Sequence, residues 1–407
     1  MKQTLIILLI VICFFGCKDD FIVDNSLVNS LKVYDFDVQR VKKIHNLFAL
    51  IDTSTVLFLD DKGENVFDFK NVEYKQEETI SFKFTDVVVG SNTDIFIIGA
   101  EILKDKTLQI YVFKVNERGQ QIWDNPIIIP ISNDFIKELN EKFYFFISHN
   151  GYALGCFNNN KLFLVVNYES AANKGNMSYK LFALDDAGSI LKESMPMQES
   201  HPEIWNYMIE PLPDGNLITS LAVGYGAAIH QFDSNTFELK QTSIILASDI
   251  QARLPIFTNM LHLNNEEVIF TGHANKGNNR IVGGNFDAFF VEYNTIDNTI
   301  ANTLFSGANS SYELTFHSFI DDNGNIKCIG TKREDLFISH GINSNLFEID
   351  YNLNSNLIDS LFIFQNKGYE GLYFEPVGNS GLLKILGSKL DISGKQNKQA
   401  FFTILKP

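Results

Sequence analysis

The stretch Val115-Asn116-Glu117-Arg118-Gly119-Gln120-Gln121-Ile122-Trp123 joins two apolar segments through a short polar turn that contains a glycine. The same arrangement returns as Leu184-Asp185-Asp186-Ala187-Gly188-Ser189-Ile190-Leu191. Asn, Asp and Gly tolerate the positive φ angles of tight hairpins, and the apolar residues on either side are typical of strands. Each stretch therefore predicts the end of one β-strand, a turn, and the beginning of the next antiparallel strand.

These hairpins belong to a longer unit that recurs from about residue 81 onward, with two strands, a polar loop and two further strands. The first turn of the unit is found at Ser91–Asp94, Asn158–Asn160, Asp214–Gly215, Asn264–Glu266, Asp322–Gly324 and Gly378–Gly381. A glycine that we assign to the end of the second strand is found at Gly99, Gly272, Gly330 and Gly387. The third strand is predicted at Gln109–Asn116, Tyr179–Asp185, Ala227–Asp233, Ala288–Asn294, Asn345–Asp350 and Gln399–Leu405.

Four antiparallel strands that repeat every ~40–60 residues are the signature of β-propeller blades. Six units fit after residue 81, and the segment Thr55–Phe69, with Asp60–Gly63 as its turn, adds a seventh. The last unit ends inside its third strand, so we predict that a strand within Leu31–Phe36 completes it and closes the ring. The fold class is therefore all-β, a β-propeller of seven four-stranded blades. Six or eight blades and a pair of β-sandwiches are the alternatives.

The repeat resembles the loosely conserved propeller repeats of secreted and surface proteins from Bacteroidota, in which a strand, a glycine-rich turn and a tryptophan recur. Trp123 takes the tryptophan position on a fourth strand, whereas Trp205 lies elsewhere in its unit. The Ser-x-Asp-x-Gly-x-Thr-Trp box of sialidases and a regular Trp-Asp dipeptide are absent. The resemblance covers most of the chain and implies the propeller fold without naming a ligand.

Composition excludes several classes of protein. The chain has 407 residues, 45% of them hydrophobic, and a net charge of -16. So much apolar side chain excludes a disordered protein, and so acidic a chain is a poor partner for nucleic acid. Four cysteines cannot form the framework of a disulfide-rich protein of this length. Cys156 and Cys328 fall three blades apart, so we expect two buried thiols rather than a disulfide.

The N-terminus has the pattern of a secretory signal. Lys2 precedes the apolar run Leu5–Phe15, which is too short to span a bilayer as a helix, since about 20 residues are needed. Phe14-Phe15-Gly16-Cys17 resembles the lipobox of bacterial lipoproteins, which implies that Cys17 carries fatty acyl chains such as palmitate and becomes the mature N-terminus. It departs from the family pattern at the two phenylalanines. An ordinary signal peptide with a chance cysteine is the alternative.

The residues after the cysteine indicate where the protein is displayed. Lys18-Asp19-Asp20 resembles the surface-export signal of Bacteroidota lipoproteins, which implies the outer face of the outer membrane. Retention on the periplasmic side is the alternative. We divide the chain into a signal peptide at 1–16, a lipidated tether at 17–41 and a propeller at 42–407. The implied partner is the membrane, reached through the anchor at Cys17, and we expect a monomer.

Candidate binding residues lie in the connections that meet around one mouth of a propeller channel. They are Trp205, Arg253, Lys276, Arg280, Lys332 and Arg333. The cations suit a positive rim for an acidic ligand, and an exposed tryptophan suits a sugar or a partner protein. The alternatives are solvated loop charge and, for the tryptophan, a cap on the edge of the barrel.

Polar residues are also expected inside the channel, which first strands line. Glu210 and Glu375 occupy equivalent positions of their units, and His262 and His317 fall on the first strands of adjacent blades. Paired carboxylates can act as general acid and base, and His with Glu can hold a metal. The chain contains no His-Glu-x-x-His, no Gly-x-Ser-x-Gly, no phosphate loop and no dinucleotide fingerprint. We therefore assign no catalytic residue, no metal and no cofactor.

These observations lead to one functional prediction and one alternative. The sequence predicts an outer-membrane lipoprotein whose β-propeller binds a protein or a glycan through its loop face. A propeller-type glycan lyase or hydrolase that acts at the channel mouth is the alternative.

Overall fold

The computed structural model describes residues 31–71, 78–105, 107–131, 153–169, 177–198, 205–223, 226–246, 253–275, 286–305, 312–333, 345–353, 357–364, 368–378, 380, 382–390 and 398–405. In these ranges the chain forms 29 strands and no α-helix. None of the described residues therefore forms a helix long and apolar enough to cross a membrane. The signal and export residues Cys17, Lys18, Asp19 and Asp20 lie outside the described residues.

The strands are grouped into seven sheets, which we call blades 1 to 7. Blades 1 and 2 contain β2 (Arg40–Ile44), β3 (Leu47–Ile51), β4 (Thr55–Leu59), β5 (Asn65–Lys70), β6 (Thr79–Val89), β7 (Ile95–Leu103), β8 (Leu108–Val115) and β9 (Ile127–Ile131). Blades 3 and 4 contain β10 (Ala153–Asn158), β11 (Lys161–Glu169), β12 (Met177–Asp185), β13 (Ile190–Glu193), β14 (Met197–Gln198), β15 (Trp205–Pro211), β16 (Leu217–Val223), β17 (Gly226–Phe232) and β18 (Leu239–Leu246). Blades 5 and 6 contain β19 (Arg253–His262), β20 (Glu267–Asn275), β21 (Phe286–Asn294), β22 (Thr299–Phe305), β23 (Tyr312–Ile320), β24 (Ile326–Arg333), β25 (Asn345–Asn352) and β26 (Leu357–Phe364). Blade 7 contains β27 (Tyr369–Pro376), β28 (Leu383–Leu390), β29 (Lys398–Leu405) and β1 (Lys32–Tyr34).

The seven blades confirm the predicted fold. Each is an antiparallel sheet of four strands in chain order, apart from the last blade and from a short fifth strand, β14, that pairs with β12. All six predicted third strands are found, as β8, β12, β17, β21, β25 and β29. Thr55–Phe69 forms β4 and β5 of a complete blade, because β2 and β3 precede it. The alternatives of six or eight blades and of two β-sandwiches are excluded.

The ring closes through the N-terminal strand, as predicted. Strand β1 pairs antiparallel with β29, with Lys32 opposite Phe402 and Tyr34 opposite Ala400. The Tyr34 hydroxyl donates a hydrogen bond to the carbonyl of Gly63 in the neighbouring blade. Because β1 and the start of β2 are blade strands, the propeller begins before residue 42.

The seam between blades 7 and 1 carries a network of four charges. The ammonium group of Lys43 lies 3.0 Å from Glu375 and 3.2 Å from Asp61, and that of Lys384 lies 3.0 and 3.1 Å from the same two carboxylates. Strands from the start and the end of the sequence are thereby joined by both hydrogen bonds and charge.

The recurrent glycines lie within the second strands rather than at their ends, which corrects the sequence assignment. In blades 2, 5, 6 and 7, Gly99, Gly272, Gly330 and Gly387 each pair with the residue just before a β-bulge in the first strand. A Cβ atom at Gly272 or Gly387 would lie 1.9 Å from a backbone oxygen of the first strand. At these two positions the side chain is excluded by the close approach of the neighbouring backbone.

The apolar core is distributed between the blades. Among the described residues, six hydrophobic clusters together cover all seven junctions of neighbouring blades. Phenylalanine fills much of this space: Phe69 of blade 1, for example, packs edge-on against Phe84 and Phe113 of blade 2. The phenylalanine-rich composition is thus explained by the stacking of repeated sheets, each of which is buried on both faces.

Candidate functional site

A cavity of about 260 Å³ lies where the first strands of five blades converge. Its wall is formed by β2, β15, β19, β23 and β27, together with Gln39 and with His273 from β20. The strands belong to blades that are distant in the sequence, so the cavity exists only because the ring is closed. Most of its polar wall residues are half-buried, whereas His273, Tyr373 and the apolar residues Val41, Met208, Ile256, Leu314 and Leu372 are buried.

Bulges in the first strands determine which side chains line this cavity. Three of the bulges insert an extra residue, namely Thr258, Phe316 and Leu372, and the following residues are Asn259, His317 and Tyr373. All six residues line the cavity. A bulge bends and twists its strand, which turns the local side chains in a new direction. The bulges therefore bring consecutive residues of blades 5, 6 and 7 to the same wall.

Three cations of β2 form another part of the wall: Arg40, Lys42 and Lys43. The ammonium group of Lys42 lies 2.7 Å from the carboxylate of Asp86, and Arg40 Nη1 lies 3.5 Å from it. Asp86 is only 1% exposed and also accepts a 3.0 Å hydrogen bond from the N–H of Gly155. Burial opposes its ionisation, but the two cations and this N–H hold its pKa below the usual range. Asp86 thus links the first strands of blades 1, 2 and 3.

Glu210 is half-buried in the cavity wall. Burial raises the pKa of its carboxyl group and the charge of Asp86 adds to that effect, although Lys42 and Arg40 oppose it. Burial, helped by the charge of Glu210, also raises the pKa of the Cys156 thiol. Both expected thiols, Cys156 and Cys328, are buried and form no disulfide. A carboxyl with a raised pKa beside two cations can hold or release a proton when a charged molecule enters.

Two histidines of the cavity wall are held neutral. Burial lowers the pKa of His273 to about 4, against a hydrogen bond to the backbone of Thr315. Burial also lowers the pKa of His317 to about 4, against the charge of Glu375 and a hydrogen bond to the backbone of Phe374. The ring of His317 lies 4.1 Å from that of Tyr373, measured between centroids. At neutral pH both imidazoles can therefore donate and accept hydrogen bonds but carry no charge.

These two histidines predict that stability falls in mild acid. An unfolded histidine takes up a proton near pH 6.5, whereas these take one up only near pH 4, so between those values the unfolded chain binds more protons. We expect each to lower the free energy of unfolding by up to about 1.4 kcal/mol per pH unit as the pH falls from 6.5 to 4. Glu210, whose pKa is raised, contributes a slope of opposite sign.

Urea unfolding over this pH range measures the effect. We expect a shallower slope in His273→Gln and in His317→Gln than in the wild type, and a smaller change in His262→Gln, whose ring is only partly buried. If both His273→Gln and His317→Gln kept the slope of the wild type, these histidines would not be the cause of the loss of stability in acid.

The structure separates the four channel candidates of the sequence analysis. Glu210 and His317 both line the cavity, but Glu375 and His262 do not. Glu375 sits at the position of blade 7 equivalent to Glu210, as predicted, and there it belongs to the charge network of the seam. His262 is the last residue of β19, whereas His317 follows the bulge of β23, so they are not equivalent.

The loop-face candidates are placed only in part. Trp205 and Arg253 begin β15 and β19, and Lys332 and Arg333 end β24, so these four lie on strands rather than in loops. Strand register puts Trp205, Arg253 and Arg333 at the same end of the ring. Lys276 and Arg280 lie outside the described residues.

The sequence analysis missed the cations of β2 and their partner Asp86. The signal was present, because Arg40, Lys42 and Lys43 occupy three of the five positions of β2 and Asp86 directly precedes the apolar run Val87–Val89. The boundary between tether and propeller was predicted at residue 42, however, which divides β2, and a lone acid in a strand is usually solvent-exposed. Among the described residues no group of three or more His, Cys, Asp or Glu could hold a metal ion.

Comparisons with known proteins identify the fold but no family. No family of known sequences and no curated protein matches the chain. The WD40 domain of Pan2 from Neurospora crassa is similar in structure, with 10% identity, a TM-score of 0.51, and coverage of 92% of this chain and 91% of that one. At that identity the similarity concerns the fold alone. The chain is a seven-bladed β-propeller.

Two other solved structures are more distant. A protein from Lactobacillus plantarum has 9% identity and a TM-score of 0.49, with coverage of 93% of this chain and 96% of that one. A catalytically inactive virginiamycin B lyase from Staphylococcus aureus, solved with quinupristin, has 10% identity and a TM-score of 0.48, with coverage of 92% and 99%.

Proposed function

We propose that this propeller is the binding module of an outer-membrane lipoprotein, anchored through Cys17, displayed at the cell surface, and binding a protein or a glycan at its loop end. The observation that carries the proposal is the cavity between the first strands of five blades, whose wall presents cations, a carboxyl group, imidazoles and hydroxyl groups. Such convergent polar groups in a preformed cavity are typical of ligand sites. A closed ring also holds them rigidly.

The direction of the N-terminal strand supports display of the loop end. Lys32 lies 2.6 Å from Glu64, and Tyr34 bonds to Gly63, so β1 enters the ring beside a turn between third and fourth strands. Trp205, Arg253 and Arg333 mark the opposite end. A tether that leaves from the turn end directs the loop end away from the anchoring membrane.

Binding by the loop end can be tested with the full chain in a neutral detergent and a panel of acidic and neutral polysaccharides. We expect an acidic polymer to bind, and the double substitution Arg253→Glu with Arg333→Glu to weaken binding about tenfold or more, because two attractive charges become repulsive. Lys62→Glu, in an exposed turn at the other end, is the matched control and should leave binding unchanged. Equal losses in both variants, or no bound polymer and no bound protein, would contradict the proposal.

Display can be tested separately on intact cells. Added protease should remove the propeller from the surface. Survival until the outer membrane is permeabilised would place it on the periplasmic side instead.

Catalysis at the channel mouth is favoured by one observation. Glu210 has a raised pKa and shares its cavity with His317, an arrangement that suits a general acid beside a second proton carrier. Turnover of a polysaccharide by the full chain, lost in Glu210→Gln, would support a lyase or hydrolase. Binding of a polysaccharide without turnover would support the proposed binding module instead.

A further inference from the structure

The cavity wall contains polar groups whose hydrogen-bonding capacity is not used by the protein. Arg40 Nη1 is buried and makes no hydrogen bond to any described residue, although it lies 3.5 Å from Asp86. His317 Nδ1 is buried and likewise makes none among the described residues. The carboxyl group of Glu210 lies in the same wall and interacts electrostatically with Lys42, Asp86 and Arg40. Buried polar groups are ordinarily paired, so the two unpaired nitrogens point to a polar molecule in the cavity.

The charges around the cavity favour an anion. Arg40, Lys42 and Lys43 supply three positive charges, while Asp86 and Glu375, which face them at 2.7 to 3.5 Å, supply two negative ones. One positive charge is left over whenever Glu210 is protonated. A guanidinium group binds a carboxylate through paired, charge-assisted hydrogen bonds, and it does so most strongly where water is scarce.

Size and the rest of the wall define the ligand further. A cavity of 150 Å³ holds a benzene molecule, so about 260 Å³ suits one ring with several substituents. Phe316 and Leu372 give one part of the wall an apolar surface. Glu210, the neutral imidazole of His317 and the hydroxyl of Thr258 give another part groups that bond to hydroxyls.

We infer that the cavity binds a small carboxylate that also carries hydroxyl groups, a sugar acid in size, with its carboxylate on Arg40 and its hydroxyls on Glu210, His317 and Thr258. This inference rests on the proposed binding function and names a ligand class for it. The ligand is either a free acid or the terminal acid unit of a longer chain, and the two share this chemistry.

Binding of such an anion should be coupled to a proton. The groups that face Glu210 are Arg40 and Lys42 from β2, Asp86 from β6 and the Cys156 thiol from β10. A carboxylate on Arg40 adds a second negative charge near Glu210, so it favours the protonated form. Affinity should therefore rise as the pH falls, and Glu210→Gln should imitate the protonated state at any pH.

Isothermal titration of the full chain in a neutral detergent tests the inference, with glucuronate as the probe. Glucose lacks the carboxylate, and cyclohexanecarboxylate lacks the hydroxyls; each should bind at least about tenfold more weakly than glucuronate. Arg40→Gln should weaken glucuronate binding by a similar factor. Glu210→Gln, which keeps the shape of the side chain, should tighten glucuronate binding at pH 7.5 and remove most of its pH dependence.

An oligomer of uronic acids separates the two sources of the ligand. If both glucuronate and the oligomer bind in dependence on Arg40, the ligand is a terminal unit; if glucuronate alone binds, it is a free acid.

The inference is overturned if glucuronate does not bind, if glucose binds equally well, or if Glu210→Gln weakens binding at pH 7.5. The Glu210 variant keeps the test decisive should Arg40→Gln fail to fold. A polymer that binds with full dependence on Arg253 and Arg333 but none on Arg40 or Glu210 would leave the proposed function standing and remove this inference alone.

Discussion

Replacing Asp86 with alanine is expected to lower the free energy of unfolding by about 3–5 kcal/mol. The carboxylate is 1% exposed and lies 2.7 Å from the ammonium group of Lys42 and 3.5 Å from Arg40. It also accepts the N–H of Gly155 at 3.0 Å. Its removal leaves two partly buried cations without their counter-charge and one buried N–H without an acceptor. Urea unfolding followed by tryptophan fluorescence measures the loss.

An exposed pair provides the control. Asp68 lies 2.7 Å from Lys70, but the two side chains are 41% and 59% exposed, so Asp68→Ala should change the free energy of unfolding very little. Asp86→Asn keeps the shape of the side chain but not its charge. Its loss of free energy of unfolding should lie between those of Asp86→Ala and Asp68→Ala. Similar losses from Asp86→Ala and Asp68→Ala would mean that the cations at the cavity are adequately solvated without the carboxylate.

The blade architecture could be predicted because its signals are local. Turns such as Asp322–Gly324 and strands such as Ala288–Asn294 are each recognisable within a few residues, and their repetition fixed the number of blades. Even the long-range closure by β1 followed from local information, because a chain that ends in a third strand needs a fourth. The predicted fold and the predicted closure are both confirmed.

Most of the cavity could not be predicted from the sequence, because it is assembled from strands of distant blades. Arg40 and His317 line the same cavity only because the ring is closed, and no spacing along the chain indicates this. The bulges add a second difficulty. An extra residue such as Phe316 shifts the alternation of side chains, and His317, which follows it directly, lines the cavity. His262 lies three residues beyond the equivalent position, Asn259, at the end of β19, and does not line it. Glu210 was recognised as a channel residue, but its cationic neighbours were not.

The glycines show how a correct pattern can be assigned the wrong cause. Gly272, Gly330 and Gly387 recur because the second strand passes unusually close to the bulged first strand, not because the strand ends there. Seen from the sequence, a glycine that ends a strand and one that admits a neighbouring backbone look the same. Only the register of the two strands distinguishes them.

Gly387→Ala should therefore destabilise the protein by about 3 kcal/mol or more. A Cβ atom at this position would lie 1.9 Å from the carbonyl oxygen of Glu370 and 2.9 Å from a ring carbon of Phe401. The obstacle is backbone, which cannot move aside as a flexible side chain can, so β27 and β28 must separate where they are paired. Overpacking that shifts the backbone is costly, and here it also weakens the sheet that β1 closes. Urea unfolding and the temperature of the thermal transition measure the effect.

Gly324→Ala separates this steric effect from the general loss of a glycine. Gly324 has a φ of 79° in the turn between β23 and β24, and nothing lies within 4 Å of the position of its Cβ. Its replacement should cost only about 1 kcal/mol, the strain of a left-handed backbone at an L-residue.

If the bulge is the reason for the repeated glycine, Gly272→Ala should resemble Gly387→Ala, since its Cβ also meets a backbone oxygen at 1.9 Å. Gly99→Ala should cost less, because its Cβ meets the ring of Phe82 at 2.9 Å, and a ring can rotate away. Equal losses at Gly387 and Gly324 would show that the backbones can separate freely, and the close approach would then not explain the repeat.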